Sequence, residues 1–244
     1  MNPGWIIPGW PAPAAVRACV TTREGGVSVA PYASLNLGNH VGDVSAHVVQ
    51  NRARVLAALP AEPLWLRQTH GLQVADAVLA QVETEADASV AWQPNRVCAV
   101  MTADCLPVLF CDQAGTVVSA AHAGWRGLAD GILEQTVAAM QVPAGQIMAW
   151  LGPAIGPDKF EVGEDVRAVF IADLYAASAA FQAGKPGKWL ADIYQLARLR
   201  LTRLGVHQVY GGGLCTYTDA ARFYSYRRDG VTGRMASLIW LAEP

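Results

Sequence analysis

The sequence predicts an α+β fold with a mixed sheet and helices packed around it. Three observations carry this expectation. Valine-rich β runs and amphipathic helical stretches alternate only in part, whereas a doubly wound sheet needs regular alternation. Hydrophobic residues make up 52% of the chain and charged residues 16%, which supplies a large core and excludes the polar, highly charged composition of a disordered chain. No repeat, heptad seam, low-complexity tract or convincing linker interrupts the 244 residues. One domain over residues 1–244 is therefore expected.

Each element has a local reason. Residues 16–22 read as a strand that ends at the Gly25-Gly26 turn, and 31–38 as a loop. Ser45, after Asp43, is expected to cap a helix to about Leu59, with Val48, Val55, Leu56 and Leu59 on one face. Residues 64–68 and 73–77 read as strands around His70-Gly71. Residues 97–101, 107–111 and 116–121 are short β runs rich in valine. A helix is expected over 130–140 and a strand over 147–151. Helices follow over 164–180 and 191–204, with 182–188 the best candidate for a connecting segment. Residues 206–210 read as a strand. Residues 223–227 and 235–241 flank 228–233, which predicts a hairpin.

Charge and cysteine usage narrow the function classes. Eighteen Lys+Arg against 20 Asp+Glu leave a net charge of −2, so no global positive field exists to hold nucleic acid or an anionic membrane. The first charged side chain is Arg17, and Pro3, Pro8, Pro11 and Pro13 break any apolar leader core. Asp104 interrupts the most hydrophobic stretch, 97–111, and no apolar run reaches the roughly 18 residues of a spanning helix. The five cysteines, Cys19, Cys98, Cys105, Cys111 and Cys215, are odd in number and form no CxxC pair. That argues against a disulfide framework and for a reduced, cytoplasmic protein.

The residues that carry chemistry are His70, Cys105 and His122. Each lies where a β run meets a loop of small residues: QTHG at 68–71, TADCLP at 102–107 and AAHAGWRG at 120–127. Glycine beside such side chains permits close approach of backbone or ligand. Two imidazoles and a thiolate suit zinc, with a fourth position left for water. The same trio also suits a thiolate nucleophile with a histidine base. Without HExxH or CxxC, spacing alone leaves both readings open, beside a third in which the three are separate structural residues at turns. His40 reads as a turn or pocket-wall residue, and His47 and His207 as solvent-facing. Cys19, Cys98, Cys111 and Cys215 read as small core residues. Gly211–Gly213 lacks the lysine of a phosphate loop. Arg222, Arg227, Arg228 and Arg234 read as hairpin salt bridges or small-anion contacts.

Several segments together resemble one family. They are TTREGGVS (21–28), SLNLG (34–38), HVGD (40–43), QTHG (68–71), TADCLPV (102–108), AHAGWRG (121–127), GPAIG (152–156), FYSYRRDG (223–230) and TGR (232–234). This family is described as purine nucleoside phosphorylase-like, as polyphenol oxidase (laccase-domain) proteins, and as peptidoglycan editing factor. Arg67-Gln68 departs from the Asn-Gln expected there. The resemblance implies β-sheets packed as a sandwich with flanking helices. It implies zinc (Zn2+) held by His70, Cys105 and His122, which also carry the catalysis. It implies phosphorolysis of adenosine, guanosine, inosine and methylthioadenosine, and deamination of adenosine. The expected partners are purine nucleosides and phosphate, with no nucleic acid and no membrane, in a monomer or weak homodimer.

Further site residues follow from that chemistry. Asp104, next to Cys105, is a candidate proton carrier or a residue that orients its loop. Phosphate calls for an arginine fork; Arg52, Arg126 and Arg227 are candidates, with Arg23 and Arg228 behind them. Arg52 follows Asn51 as in the family's Asn-Arg pair. Asn36 is a candidate for the sugar hydroxyls, or a turn residue bonded to nearby backbone. Trp125 either stacks a purine or packs in the core. The alternatives are a Cys105–His122 hydrolase that edits peptidoglycan precursors, and a copper oxidase. A multicopper site needs many histidines in His-x-His pairs; this chain has five and no such pair, although a single copper suits the same trio.

Overall fold

The computed structural model describes residues 4–243; Pro3 lies outside the described residues. In chain order the elements are β1 (Val16–Val20), α1 (Ser45–Leu56), β2 (Val74–Asp76), β3 (Ala88–Ala91), β4 (Cys98–Thr102), β5 (Leu106–Asp112), β6 (Val118–Ala123), α2 (Trp125–Asp130), α3 (Ile132–Ala139), β7 (Ile147–Leu151), β8 (Glu161–Gly163), α4 (Glu164–Asp173), β9 (Phe181–Ala183), β10 (Lys188–Ala191), α5 (Ile193–Arg203), β11 (Gln208–Gly211), α6 (Tyr226–Asp229) and β12 (Met235–Leu241).

A six-stranded mixed sheet runs in the order β11-β7-β5-β6-β3-β2. Its pairs are antiparallel except for β11–β7 and β2–β3. Both faces are covered, which is why β5 is apolar from Leu106 to Cys111 and every residue of the strand is buried. Side chains alternate across a strand. Val108 and Phe110 therefore join a core with Leu128, Leu133, Phe170 and Leu201 of the helices. Leu109 and Cys111 point the other way and meet Val16, Val100 and Ile239. Those three belong to an antiparallel sheet in the order β1-β12-β4. Its far face, through Cys19, Met101, Leu238 and Trp240, packs on Val55 of α1 and on Leu35, Leu37 and Trp65. The architecture is the α+β sandwich with flanking helices. A third small sheet, β8-β10-β9, is built from the segment between β7 and α5.

Several expectations change. Residues 64–68 form isolated bridges, Leu64 with Cys98 and Arg67 with Glu85, rather than a strand. The helix over 130–140 starts earlier and splits at Gly131, whose φ of 109° is open to glycine and breaks the helical path. The helix over 164–180 stops at Leu174 and resumes as a tight 3-10 segment, Tyr175–Ala180. The hairpin at 223–241 does not form, because β12 pairs with distant β1 and β4. Ser225 instead caps the short α6, its Oγ accepting from the Arg228 N–H at 3.2 Å. Residues 182–188 are not a connector between helices but the β9–β10 hairpin. Strand β3 was not anticipated, since Ala88-Ser-Val-Ala91 is short and mostly small side chains. All five cysteines are free. Among the described residues, no helix is long and apolar enough to cross a membrane.

Phe110 is fully buried between the central sheet and the helices. Phe110→Ala is expected to cost about 3–5 kcal/mol of unfolding free energy in denaturant melts. Leu79→Ala, at an 80% exposed position, is expected to stay within about 0.5 kcal/mol of the parent.

Candidate metal centre

Strand ends and their loops deliver the three predicted ligands to one point. Cys105 lies between β4 and β5, His122 in β6, and His70 in the loop before β2. The β5–β6 register pairs Leu106 with Ala123, so Gly124 falls beside Cys105. A Cβ at Gly124 would stand 2.5 Å from His70 Nδ1 and 3.1 Å from Cys105 Sγ. Glycine is what leaves room for the side chains to converge. The ligand atoms of His70, Cys105 and His122 lie within 4.8 Å of one another, and the two imidazoles meet edge to face at 4.8 Å between centroids. Two imidazoles and a thiolate around a space that a single Cβ would fill fit a three-ligand metal site with an open position.

One buried carboxylate, absent from the sequence-based expectations, organises this trio. Asp87 has no exposed surface. Its Oδ1 lies 2.7 Å from His122 Nδ1 and accepts the His70 N–H at 3.0 Å; its Oδ2 accepts the N–H groups of Thr69 at 3.0 Å and Gly71 at 2.7 Å. The three amides fold the backbone around His70, whose φ of 61° lies in the left-handed region. Burial would raise the Asp87 pKa, but the His122 bond and these amides hold it below the ordinary carboxylate value. Burial would lower the His122 pKa, but the Cys105 charge and the Asp87 bond push it up to about 9. His70 shifts the opposite way, lowered by partial burial and then by His122, Arg126 and Arg234. A lowered pKa favours the neutral imidazole that a metal requires. The only sequence signal for Asp87 is an acid standing just before a run of small residues.

The trio opens on a cavity of about 490 Å³. Of the candidate substrate residues, Asp104 and Arg227 reach its wall, and so do His40, Trp125 and Arg126. Asp104 has both carboxylate oxygens occupied, one by the Thr216 hydroxyl and one by the Arg227 N–H, each at 2.6 Å. These bonds tie the loop that carries Asp104 to Thr216 and to the start of α6. Arg227 Nη1 donates to the Glu161 carbonyl at 2.6 Å, and its guanidinium lies over Phe160. Asn36 and Arg52 lie off the wall. Asn36 is fully buried, bonded to Gly38, Asp43 and the Arg234 N–H, which leaves nothing for a sugar. Arg52 donates to the Leu37 carbonyl and stacks on Trp65. Arg23 and Arg228 spend their donors largely on backbone carbonyls. His207 is exposed, but His47 is half-buried near Asp43 rather than solvent-facing. Cys215 is not a core residue: its sulfur is partly exposed and accepts the Gly156 N–H at 3.2 Å.

Known proteins share this arrangement of chain and fold. The chain belongs to the multi-copper polyphenol oxidoreductase laccase family, whose model matches residues 17–242. It is 56% identical over 240 residues to a purine nucleoside phosphorylase of Pseudomonas aeruginosa, covering 98% of this chain and 99% of that one. It is 58% identical to the purine nucleoside phosphorylase YfiH of Escherichia coli, covering 97% and 98%. The crystal structure of a Neisseria meningitidis protein of family DUF152 superposes with a TM-score of 0.95 at 54% identity, covering 98% of this chain and all of that one. YlmD from Geobacillus stearothermophilus superposes at 0.91 with 31% identity, covering 100% and 98%.

Asp87→Asn keeps the side-chain volume but exchanges an acceptor for a donor facing the clustered N–H groups. Zinc affinity, measured by chelator competition, is expected to fall about 10- to 100-fold. Gly124→Ala, which inserts the clashing Cβ, is expected to abolish stoichiometric zinc binding in the same titration.

Proposed function

We propose that this protein is a zinc-dependent purine nucleoside phosphorylase acting on adenosine, guanosine, inosine and methylthioadenosine, with adenosine deaminase activity in the same cavity. The observation that carries this reading is the convergence of His70, Cys105 and His122 on a cavity of about 490 Å³ that also presents an aromatic ring and several cations. That volume suits a nucleoside together with a small anion. Relatives that match nearly end to end bear the phosphorylase name.

In phosphorolysis a phosphate oxygen bonds to the ribose anomeric carbon while the bond from that carbon to the base nitrogen breaks. The electron pair leaves on the base, which takes a proton, and the products are ribose 1-phosphate and the free base. Bound zinc would supply Lewis-acid stabilisation of developing negative charge. Trp125 offers a π face for the purine. Arg126 lies over that ring at 4.5 Å and adds positive charge at the rim. Asp104 fixes the backbone of Arg227, so a guanidinium is positioned for anionic oxygens. In deamination, oxygen from water replaces the exocyclic amine and ammonia leaves. Free cysteines fit a reducing cytoplasm, and we take the chain as one domain acting as a monomer or weak homodimer.

One observation favours a second reading. Cys105, His122 and Asp87 stand in the order nucleophile, base and orienting acid, as a hydrolase editing peptidoglycan precursors would require. Copper in the same trio is the third possibility; the described residues offer no second group of three metal ligands.

Metal analysis paired with nucleoside assays tests the lead. Near one zinc per chain is expected, with phosphate-dependent release of hypoxanthine from inosine that is lost on chelation and restored by zinc. Cys105→Ala is expected to lower kcat/KM at least about 100-fold. Metal-free protein, or turnover indifferent to chelator, would transfer the assignment to the cysteine hydrolase.

A further inference from the structure

Sorting the cavity wall by charge exposes an imbalance. Arg126, Arg227 and Arg234 all line it. The one carboxylate on the wall, Asp104, has both oxygens occupied by Thr216 and by the Arg227 backbone. Arg126 and Arg227 are exposed, whereas Arg234 is half-buried. Elsewhere in this protein a buried arginine is neutralised: Arg200 lies 2.8 Å from both Glu134 and Asp173. Arg234 makes no such ion pair among the described residues. Its Nη1 donates to the carbonyls of Thr232 at 3.2 Å and Gly233 at 3.1 Å. Nε and Nη2 have no hydrogen-bond partner among the described residues.

The surroundings hold this cation in place. The Arg234 N–H donates to buried Asn36 at 2.9 Å, and its carbonyl accepts the Leu37 N–H at 3.2 Å. A Cβ on Gly38 would come within 2.9 Å of Arg234 Cγ, so the glycine makes room for the side-chain stem. Arg234 directly precedes β12, in the middle of its sheet. A desolvated cation without a carboxylate is costly unless a ligand completes it.

We propose that Arg234 anchors a tetrahedral oxyanion in the cavity, and that in the phosphorolytic reaction this anion is inorganic phosphate. The free Nε and Nη2 form the edge of a guanidinium that binds two oxygens of one anion. The identity of the anion rests on the phosphorylase reading; the existence of the anion site does not. Burial distinguishes Arg234 from the exposed Arg126 and Arg227, and Arg227 already spends Nη1 on the Glu161 carbonyl.

The test compares the wild-type zinc-loaded protein with Arg234→Gln in two assays. Inorganic phosphate is expected to raise the wild-type Tm, and the substitution to remove that shift. In steady-state assays, KM for phosphate is expected to rise about 10- to 100-fold, with KM for inosine changed less than about 2-fold. Unchanged phosphate KM together with an unchanged phosphate-induced Tm shift would overturn the proposal. Base release that ignores phosphate, alongside an Arg234-dependent Tm shift, would refute phosphorolysis and leave the anion site standing. A wild-type protein that phosphate neither stabilises nor activates would refute the anion site itself. Should Arg234→Gln fail to fold, Arg234→Met keeps the aliphatic stem and is read against the same outcomes.

Discussion

The Asp87 carboxylate is the interaction on which the site depends. Four donors from two separate stretches of chain end on its two oxygens: the amides of residues 69–71 and the imidazole of His122. The loop that carries His70 has no strand of its own to hold it. It is shaped by this carboxylate, which itself stands at the start of β3. Remove the charge and two ligands lose their common reference. A buried carboxylate with this many donors is well compensated, which explains why it stays ionised despite full burial.

The sheets supply the rest of the precision. Strands β5 and β6 are the centre of the six-stranded sheet, buried on both faces, and their paired ends place Cys105 beside Gly124 and two residues from His122 in register. Atoms anchored in such a core have little freedom to move, so the candidate metal ligands Cys105 and His122 inherit its rigidity. The wall bearing Asp104, Arg227 and Arg234 is tied instead through side-chain to backbone hydrogen bonds. Asp104 holds Arg227, and Asn36 holds Arg234. Asp104 does so from the wall itself, and Asn36 from behind it.

Much of this was legible in the residues, and the failures have physical causes. The β run 107–111 and its valine-rich neighbours announced buried strands, and the junctions of β runs with loops of small residues singled out His70, Cys105 and His122. The hairpin expected at 223–241 was wrong because local turn chemistry says nothing of a strand paired with residues more than 200 positions away. Asn36 reads in sequence as a sugar ligand or as a turn residue bonded to nearby backbone, and its bonds to Gly38 and its burial are those of the turn residue. Arg52 and Arg227 are indistinguishable as letters. Only the fold shows that one stacks on Trp65 outside the cavity and the other reaches its wall. Asp87 gave no motif at all, since three of its partners are backbone amides that any residues would supply and the fourth, His122, is 35 positions away.

The position of β12 between β1 and β4 has a kinetic consequence. Val16 pairs with Leu241, and Met235 with Thr102, so the middle strand of this sheet joins partners that are remote along the chain. Closing such loops costs entropy before any contact offsets it, and folds dominated by distant pairings form slowly. Arg234 leads directly into that strand. The cationic wall therefore takes shape only when the slowest-closing part of the sheet zips up, and a partly folded chain presents neither a complete cavity nor a covered β4 edge. Until then that edge is open to intermolecular pairing, which makes chain concentration during refolding, rather than final stability, the quantity that decides yield.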